Sequence, residues 1–173
     1  QFEIRELKEN WRQKTDPEFF DLCQRLREPL SEAEAIAIID KLNTRVCSTN
    51  LPDNTTVNDI HICGINVQVD KVNSKYKIEV GSKVICNQTC DDMQKKKVPK
   101  SRFSPAYGLT IHKAQGKTIS RNVIINPTRL FSKNHLYVAL TRATNFDSIY
   151  LTDPLTLSVF RKTVNVITRD SNN

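Results

Sequence analysis

Apolar residues recur along this chain with helical and strand-like spacing, and the succession of the two predicts the fold. After Thr15-Asp16-Pro17, the residues Phe19, Leu22, Cys23 and Leu26 fall three and four positions apart, which places them on one face of a helix. Cap-type residues followed by proline mark its start. The next segment, PLSEAEAIAIIDKLN, repeats the design, with Ser31 as N-cap, Glu34 at the capping-box position and Ala35, Ile38, Ile39 and Leu42 as the apolar stripe. DIHICG (59–64) is a short apolar run that predicts a strand and a glycine turn. INVQVDKVNSKY then keeps Ile65, Val69, Val72 and Tyr76 at helical spacing. SKVICN predicts a strand, RNVIIN a strand followed by the helix NHLYVALTRA, and DSIYLTD a strand before a last helix around LTLSVFRKTV. Strands alternating with helices of these lengths imply an α/β fold, a mostly parallel sheet with helices on both faces.

The pattern breaks between 87 and 104. QTCDDMQKKKVPKSRFS is polar, carries Lys95, Lys96 and Lys97 in a row, and reads as an exposed basic loop or the remnant of an insertion. At 173 residues the chain has the size of one ordinary domain. Its 26 Lys and Arg against 19 Asp and Glu give a net charge of +7, a balance that favours a polyanionic partner but that solvated surface charge also explains. Five cysteines form an odd set with no further Cys or His pair to complete a zinc site beside Cys86 and Cys90, so no metal is expected and a reducing, intracellular setting fits. No apolar run is long enough to cross a bilayer, so no membrane partner is expected.

YGLTIHKAQGKTI (107–119) ends in Gly116-Lys117-Thr118, the letters that close a P-loop. A P-loop needs a glycine five residues earlier so that successive amides can curl around phosphates, and position 111 is isoleucine. The stretch is therefore not a P-loop. It reads instead as a helix with Tyr107, Ile111 and Ala114 toward the core. Thr110, His112, Lys113 and Gln115 then lie off the buried stripe, His112 and Gln115 one turn apart and within reach of a phosphate, Thr110 and Lys113 on the neighbouring flank and able to hold a nucleic-acid backbone. An ordinary polar helix surface accounts for the same letters. In open α/β sheets ligands collect at the carboxyl ends of strands, and Gly64-Ile65-Asn66, Gln115-Gly116-Lys117 and Thr141-Arg142 are expected at such places. In LYVALTRAT, Leu136, Ala139, Leu140 and Ala143 form the stripe and Arg142 emerges at its end, placed either to grip a phosphate or to cap helix carbonyls. Arg12, in LKENWRQK before the first helix, gains significance if the fold brings it beside Arg142.

Taken in order, ENWRQ, LTIHKAQGKTI and LYVALTRAT resemble motifs IV, V and VI of the second RecA-like domain of superfamily 1 helicases. ICGINVQVDKVN and the HKAQG wording resemble the Pif/RecD branch, which moves 5′ to 3′ on DNA. The resemblance spans nearly the whole chain. It implies a RecA-like, P-loop-NTPase-type fold for residues 1–173 as one C-terminal helicase domain, with ATP and Mg2+ as cofactors held mainly by a first RecA-like domain outside this chain. It also implies that Arg12 and Arg142 reach the γ-phosphate, that Gln115 and Gly116 sense it, and that Thr110, His112, Lys113, Gly64 and Asn66 lie along single-stranded DNA. The implied partners are that DNA, the first lobe and other replication proteins, at sites of replication or repair. Without the first domain's P-loop lysine and acidic pair, the chain is expected to be inactive alone. Relatives often carry an insertion between the VGSKVICN strand and motif V, where only about twenty residues stand here. An RNA-virus-type RNA helicase domain and a non-catalytic nucleic-acid-binding or scaffolding lobe are the alternatives.

Overall fold

A computed structural model of the chain describes residues 11–47, 59–80, 82, 84–86 and 103–161. Helix α1 (Pro17–Arg25) begins where the Asp16 carboxylate accepts the Phe19 N–H at 3.0 Å, and the other oxygen of that carboxylate accepts the Phe146 N–H at 2.9 Å, so one cap ties the helix to a distant turn. Helix α2 (Glu32–Asn43) starts with the expected capping box: Ser31 N–H donates to Glu34 Oε2 at 2.8 Å and Glu34 N–H to Ser31 Oγ at 3.3 Å. These bonds from Ser31, with the Arg25 guanidinium beside them, hold the Glu34 carboxyl down at about 2.

Four strands, β1 (Ile60–Cys63), β4 (Gly108–Thr110), β5 (Val123–Ile125) and β6 (Ile149–Leu151), make one parallel sheet in the order β4-β1-β5-β6. A bridge from Val46 to Leu151 extends it at the β6 side. Register places Leu109, Ile62, Ile125 and Leu151 in one row and His61, Ile124 and Tyr150 in the next, and successive rows face opposite sides. The first row joins Phe19, Leu22, Leu26, Leu42, Leu136 and Leu140 in the main apolar core. On the second side, Arg45 lies 4.7 Å over the Tyr150 ring. Burial pushes the His61 imidazole down to about 4, helped by the Lys75 charge and opposed by Asp59. Both faces are covered, as the alternation of elements predicts.

Helix α3 (Asn66–Asn73) lies against β1 and β4. Its last residue reaches the outer strand: Asn73 Nδ2 donates to Gly108 O at 3.2 Å, and Gly108 N–H donates to Asn73 Oδ1 at 2.8 Å. The helix is shorter than the spacing suggests. Ile65 is its extended N-cap, and Tyr76 lies beyond its end, where its ring stacks on Tyr107 at 4.1 Å.

Three expectations need correction. The SKVICN strand, β2 (Val84–Cys86), does not join the main sheet but pairs antiparallel with β3 (Phe103–Pro105), so the basic loop does not reach 104. Lys95, Lys96 and Lys97 lie outside the described residues. Residues 108–110 are a strand and not the start of a helix, because Gly108 to Thr110 complete the parallel pairing with β1; helix α4 is only Ile111–Ala114. Helix α5 (Lys133–Leu140) follows the 3-10 turn Pro127–Arg129, and α6 (Ser158–Arg161) closes the described chain. No helix among the described residues is long and apolar enough to cross a membrane.

Candidate functional site

Since β5 and β6 are parallel, α5 must carry the chain from the carboxyl end of β5 back to the amino end of β6. Thr141 and Arg142, which follow α5, therefore stand at the amino edge of the sheet. The expectation that they join the carboxyl-edge residues is overturned by this crossover. There Ile119 bridges Ala143, and Ile119 N–H donates to Arg142 O at 2.8 Å.

Arg12 comes to the same place from the other end of the chain. Its Nε donates to Thr118 Oγ1 and its Nη1 to Thr141 O, each at 3.0 Å. Arg142 is buried, with Nε donating to Val138 O at 3.0 Å, Nη1 to Lys117 O at 3.2 Å and Nη2 to Thr141 Oγ1 at 2.9 Å. The contact with Val138 is the carbonyl cap considered for this arginine. Together the three bonds use one N–H on each nitrogen, and a guanidinium has five, so a second N–H on each terminal nitrogen is not engaged by them. Burial and then the charge of Arg12 lower the Arg142 pKa, against a smaller opposing effect of Tyr137. Two guanidinium groups close enough to feel each other, both fastened to Thr141, gain from an anion placed between them.

Three contributors escaped the sequence reading. Gln13 is buried, and its Nε2 donates to Ala143 O at 2.9 Å and to Thr141 O at 3.5 Å, bracketing Arg142. Thr118 and the Lys117 carbonyl hold the two arginines. The Gly-Lys-Thr that imitates the end of a P-loop thus anchors guanidinium groups and does not curl around phosphate. Gly116 turns the chain at φ 80°, a conformation that glycine adopts without cost and side-chain-bearing residues resist.

The carboxyl edge carries the remaining candidates. Thr110 is buried and caps α4 by accepting the Lys113 N–H at 3.3 Å, so its hydroxyl is engaged at home and does not lie on an exposed flank. His112 and Lys113 are exposed, and the His112 ring meets His135 edge-on at 5.7 Å. Gln115 is also exposed, but it sits past the end of α4 with ψ 138°, so it does not share a helix face with His112. Gly64 is required by crowding: a Cβ there would lie 2.1 Å from Arg129 O. Its N–H donates to Gln68 Oε1 at 3.2 Å. Asn66 is exposed at the first turn of α3. His135 and Arg142 are seven residues apart along α5 and its end, about 10 Å at the helical rise, so the two edges are separate sites. Residues 111–119 run from one to the other.

The family model for the viral superfamily 1 RNA helicase core domain matches residues 21–150. A Trypanosoma brucei brucei protein described as ATP-dependent DNA helicase PIF5 is 50% identical over 48 residues, 28% of this chain and 5% of that protein. Among solved structures, a Bacteroides Pif1 helicase in complex with ADP-AlF3 and ssDNA superposes with a TM-score of 0.71 over 92% of this chain and 54% of its own, at 18% identity. Pif1 helicase from Candida albicans gives 0.63 over 91% and 58%, also at 18% identity. At that identity the likeness is one of fold. The chain spans little more than half of these solved chains and a small part of the curated relative.

Proposed function

The chain belongs to the superfamily 1 helicase family described by the viral RNA helicase core domain, and from that premise we propose that it is the second, C-terminal RecA-like lobe of an ATP-dependent DNA helicase of the Pif/RecD-like branch. One observation carries the reading: Arg12 and Arg142, 130 positions apart in the sequence, are fastened to the same residue, Thr141, at one edge of the sheet. The donors there are cationic N–H groups, which suit phosphate oxygens and not a metal ion. ATP, and the Mg2+ that accompanies it, would be held mainly by a first RecA-like lobe with the P-loop, and the nucleotide supplies the phosphoryl group that is transferred to water.

This chain's part is to grip and to transmit. Arg12 and Arg142 bind the γ-phosphate and stabilise the charge that develops on it, drawing the two lobes together. Both arginines are tied to Lys117 and Thr118, so a shift of either guanidinium pulls on the connection that leads through Gly116 and Gln115 to His112 and Lys113. Those residues, with the Gly64–Asn66 turn, line the path of single-stranded DNA, and buried Thr110 supports them by capping α4. Repeated closing and release moves the lobe along the strand, 5′ to 3′ in this branch, at sites of replication or repair within the cell.

In the natural protein that carries this chain, Arg142→Ala lowers strand-stimulated ATP turnover by about a thousandfold or more, the loss expected of an arginine finger. Turnover kept within tenfold overturns the assignment. Stimulation by single-stranded RNA and not by DNA moves the protein to the RNA helicases, and a natural protein without ATP turnover makes this a non-catalytic lobe.

A further inference from the structure

The carboxyl edge holds a row of three rings, Phe131, His135 and His112. Phe131, which follows the 3-10 turn of Arg129 and precedes the Ser132 cap of α5, keeps 48% of its surface in solvent. Its ring meets His135 edge-on at 5.7 Å and 74°, and His135 meets His112 in the same way at 5.7 Å and 81°. His135 Nδ1 accepts the Phe131 N–H at 3.4 Å, which leaves the ring proton on Nε2. Burial, and then the nearby His112, lower the His135 pKa, which favours its uncharged form.

Among the described residues, Phe131 is one of two exposed large apolar side chains on this edge, with Val67 at the first turn of α3, and of the two it alone offers a flat ring. On the same edge stand the exposed cations Lys113 and Arg129, the latter held against Gly64 by its backbone. Cations that track a phosphate backbone beside an open aromatic face are the two components of a single-strand binding groove, since every base has a face to stack. We propose that Phe131, backed by His135 and His112, is a stacking platform for one base of the single strand whose phosphates Lys113 and Arg129 attract. The proposal rests on the nucleic-acid reading above and adds to it a residue and a mode of contact. His135 acts as a positioning residue: its ring fixes the Phe131 ring and the turn that carries it.

The test compares variants of the natural protein for binding a labelled oligothymidylate at several salt concentrations. Phe131→Ala weakens binding by roughly fivefold to a hundredfold, the range for losing one base–aromatic stack, while leaving the slope of log affinity against log salt unchanged. Lys113→Ala instead lowers that slope by about one. Phe131→Trp retains parental affinity. On an oligonucleotide with an abasic tract, the parent loses its advantage over Phe131→Ala, because the base the ring would stack on is gone. Phe131→Leu keeps an apolar side chain against His135 and carries the same test if the alanine variant does not fold. Parental affinity in Phe131→Ala or Phe131→Leu, with Lys113→Ala still weakened, overturns the platform and leaves the proposed function standing. Parental affinity in all of them overturns both.

Discussion

Gln13 offers the sharpest separation between holding the fold together and setting the arginine. Its Nε2 donates to Ala143 O at 2.9 Å and, at the limit of a hydrogen bond, to Thr141 O at 3.5 Å, so the side chain spans the peptide that carries Arg142. Gln13→Ala removes both of these hydrogen bonds. The Ala143 carbonyl, lying beside a side chain that is only 5% exposed, loses the better bond, a cost of about 1–3 kcal/mol for a buried acceptor. For a chain of this size that lowers the melting temperature by roughly 3–10 °C. Thr141 O keeps Arg12 Nη1, so the segment loosens on one side only. A guanidinium that must meet charge developing in the transition state tolerates little displacement, and about 1 Å can cost on the order of a hundredfold. The variant should therefore lose about tenfold to a hundredfold in kcat, and any rise in the KM for ATP reports the part of the γ-phosphate grip already made in the ground state. Gln13→Met, which fills the space without donating, should behave as the alanine variant does. Steady-state phosphate release by the natural protein, saturated with single-stranded DNA, provides the assay. A variant that melts lower yet turns over within twofold of the parent would refute the positioning argument and leave Gln13 a purely structural residue.

Other consequences are open to equally direct measurement. His61 titrates near 4 when folded and near 6.5 when unfolded, so its contribution is complete above pH 6.5 and is lost as pH falls from there toward 4, where only the unfolded chain takes up the proton. Melting temperatures should fall from pH 7.5 to 5, and His61→Leu should shrink that difference, leaving the part due to His135; the depressed Glu34 carboxyl acts lower, between about 4.5 and 2, and cannot mimic it. Gly64→Ala drives a methyl group into Arg129 O, a backbone atom that cannot swing aside, and should cost about 1–3 kcal/mol or more by overpacking in a urea melt; a neutral result would mean that the Pro127–Arg129 turn moves freely.

Much of this molecule can be read from its letters, where the letters carry the physics. Asp16-Pro17 and Ser31 with Glu34 announce two helix starts because caps are side-chain chemistry, and Phe19, Leu22, Ile39 and Leu42 are buried as their spacing demands. The strand Gly108–Thr110 was hidden because three residues are too few to show alternation, and Tyr107, Ile111 and Ala114 happen to keep helical spacing across it. The antiparallel pairing of β2 with β3 was hidden because the second strand ends in Pro105, a residue that sequence assigns to loops but that edge strands accept. At the arginine site, Arg12 and Arg142 are visible as letters, whereas the Lys117 and Thr141 carbonyls that seat them are backbone atoms common to every residue. The edge at which they gather follows from a parallel crossover, which no local window contains.

Asn73 has a wider consequence. In the parallel register His61 faces Gly108, so the Gly108 N–H and carbonyl point outward from β4, toward the place a fifth strand would take. The Asn73 carboxamide fills both positions and so mimics the peptide unit of an absent neighbour. Among the described residues the sheet ends at β4, and there the Gly108 position of its rim is already filled, so an extended segment of another molecule cannot pair at that residue without displacing Asn73.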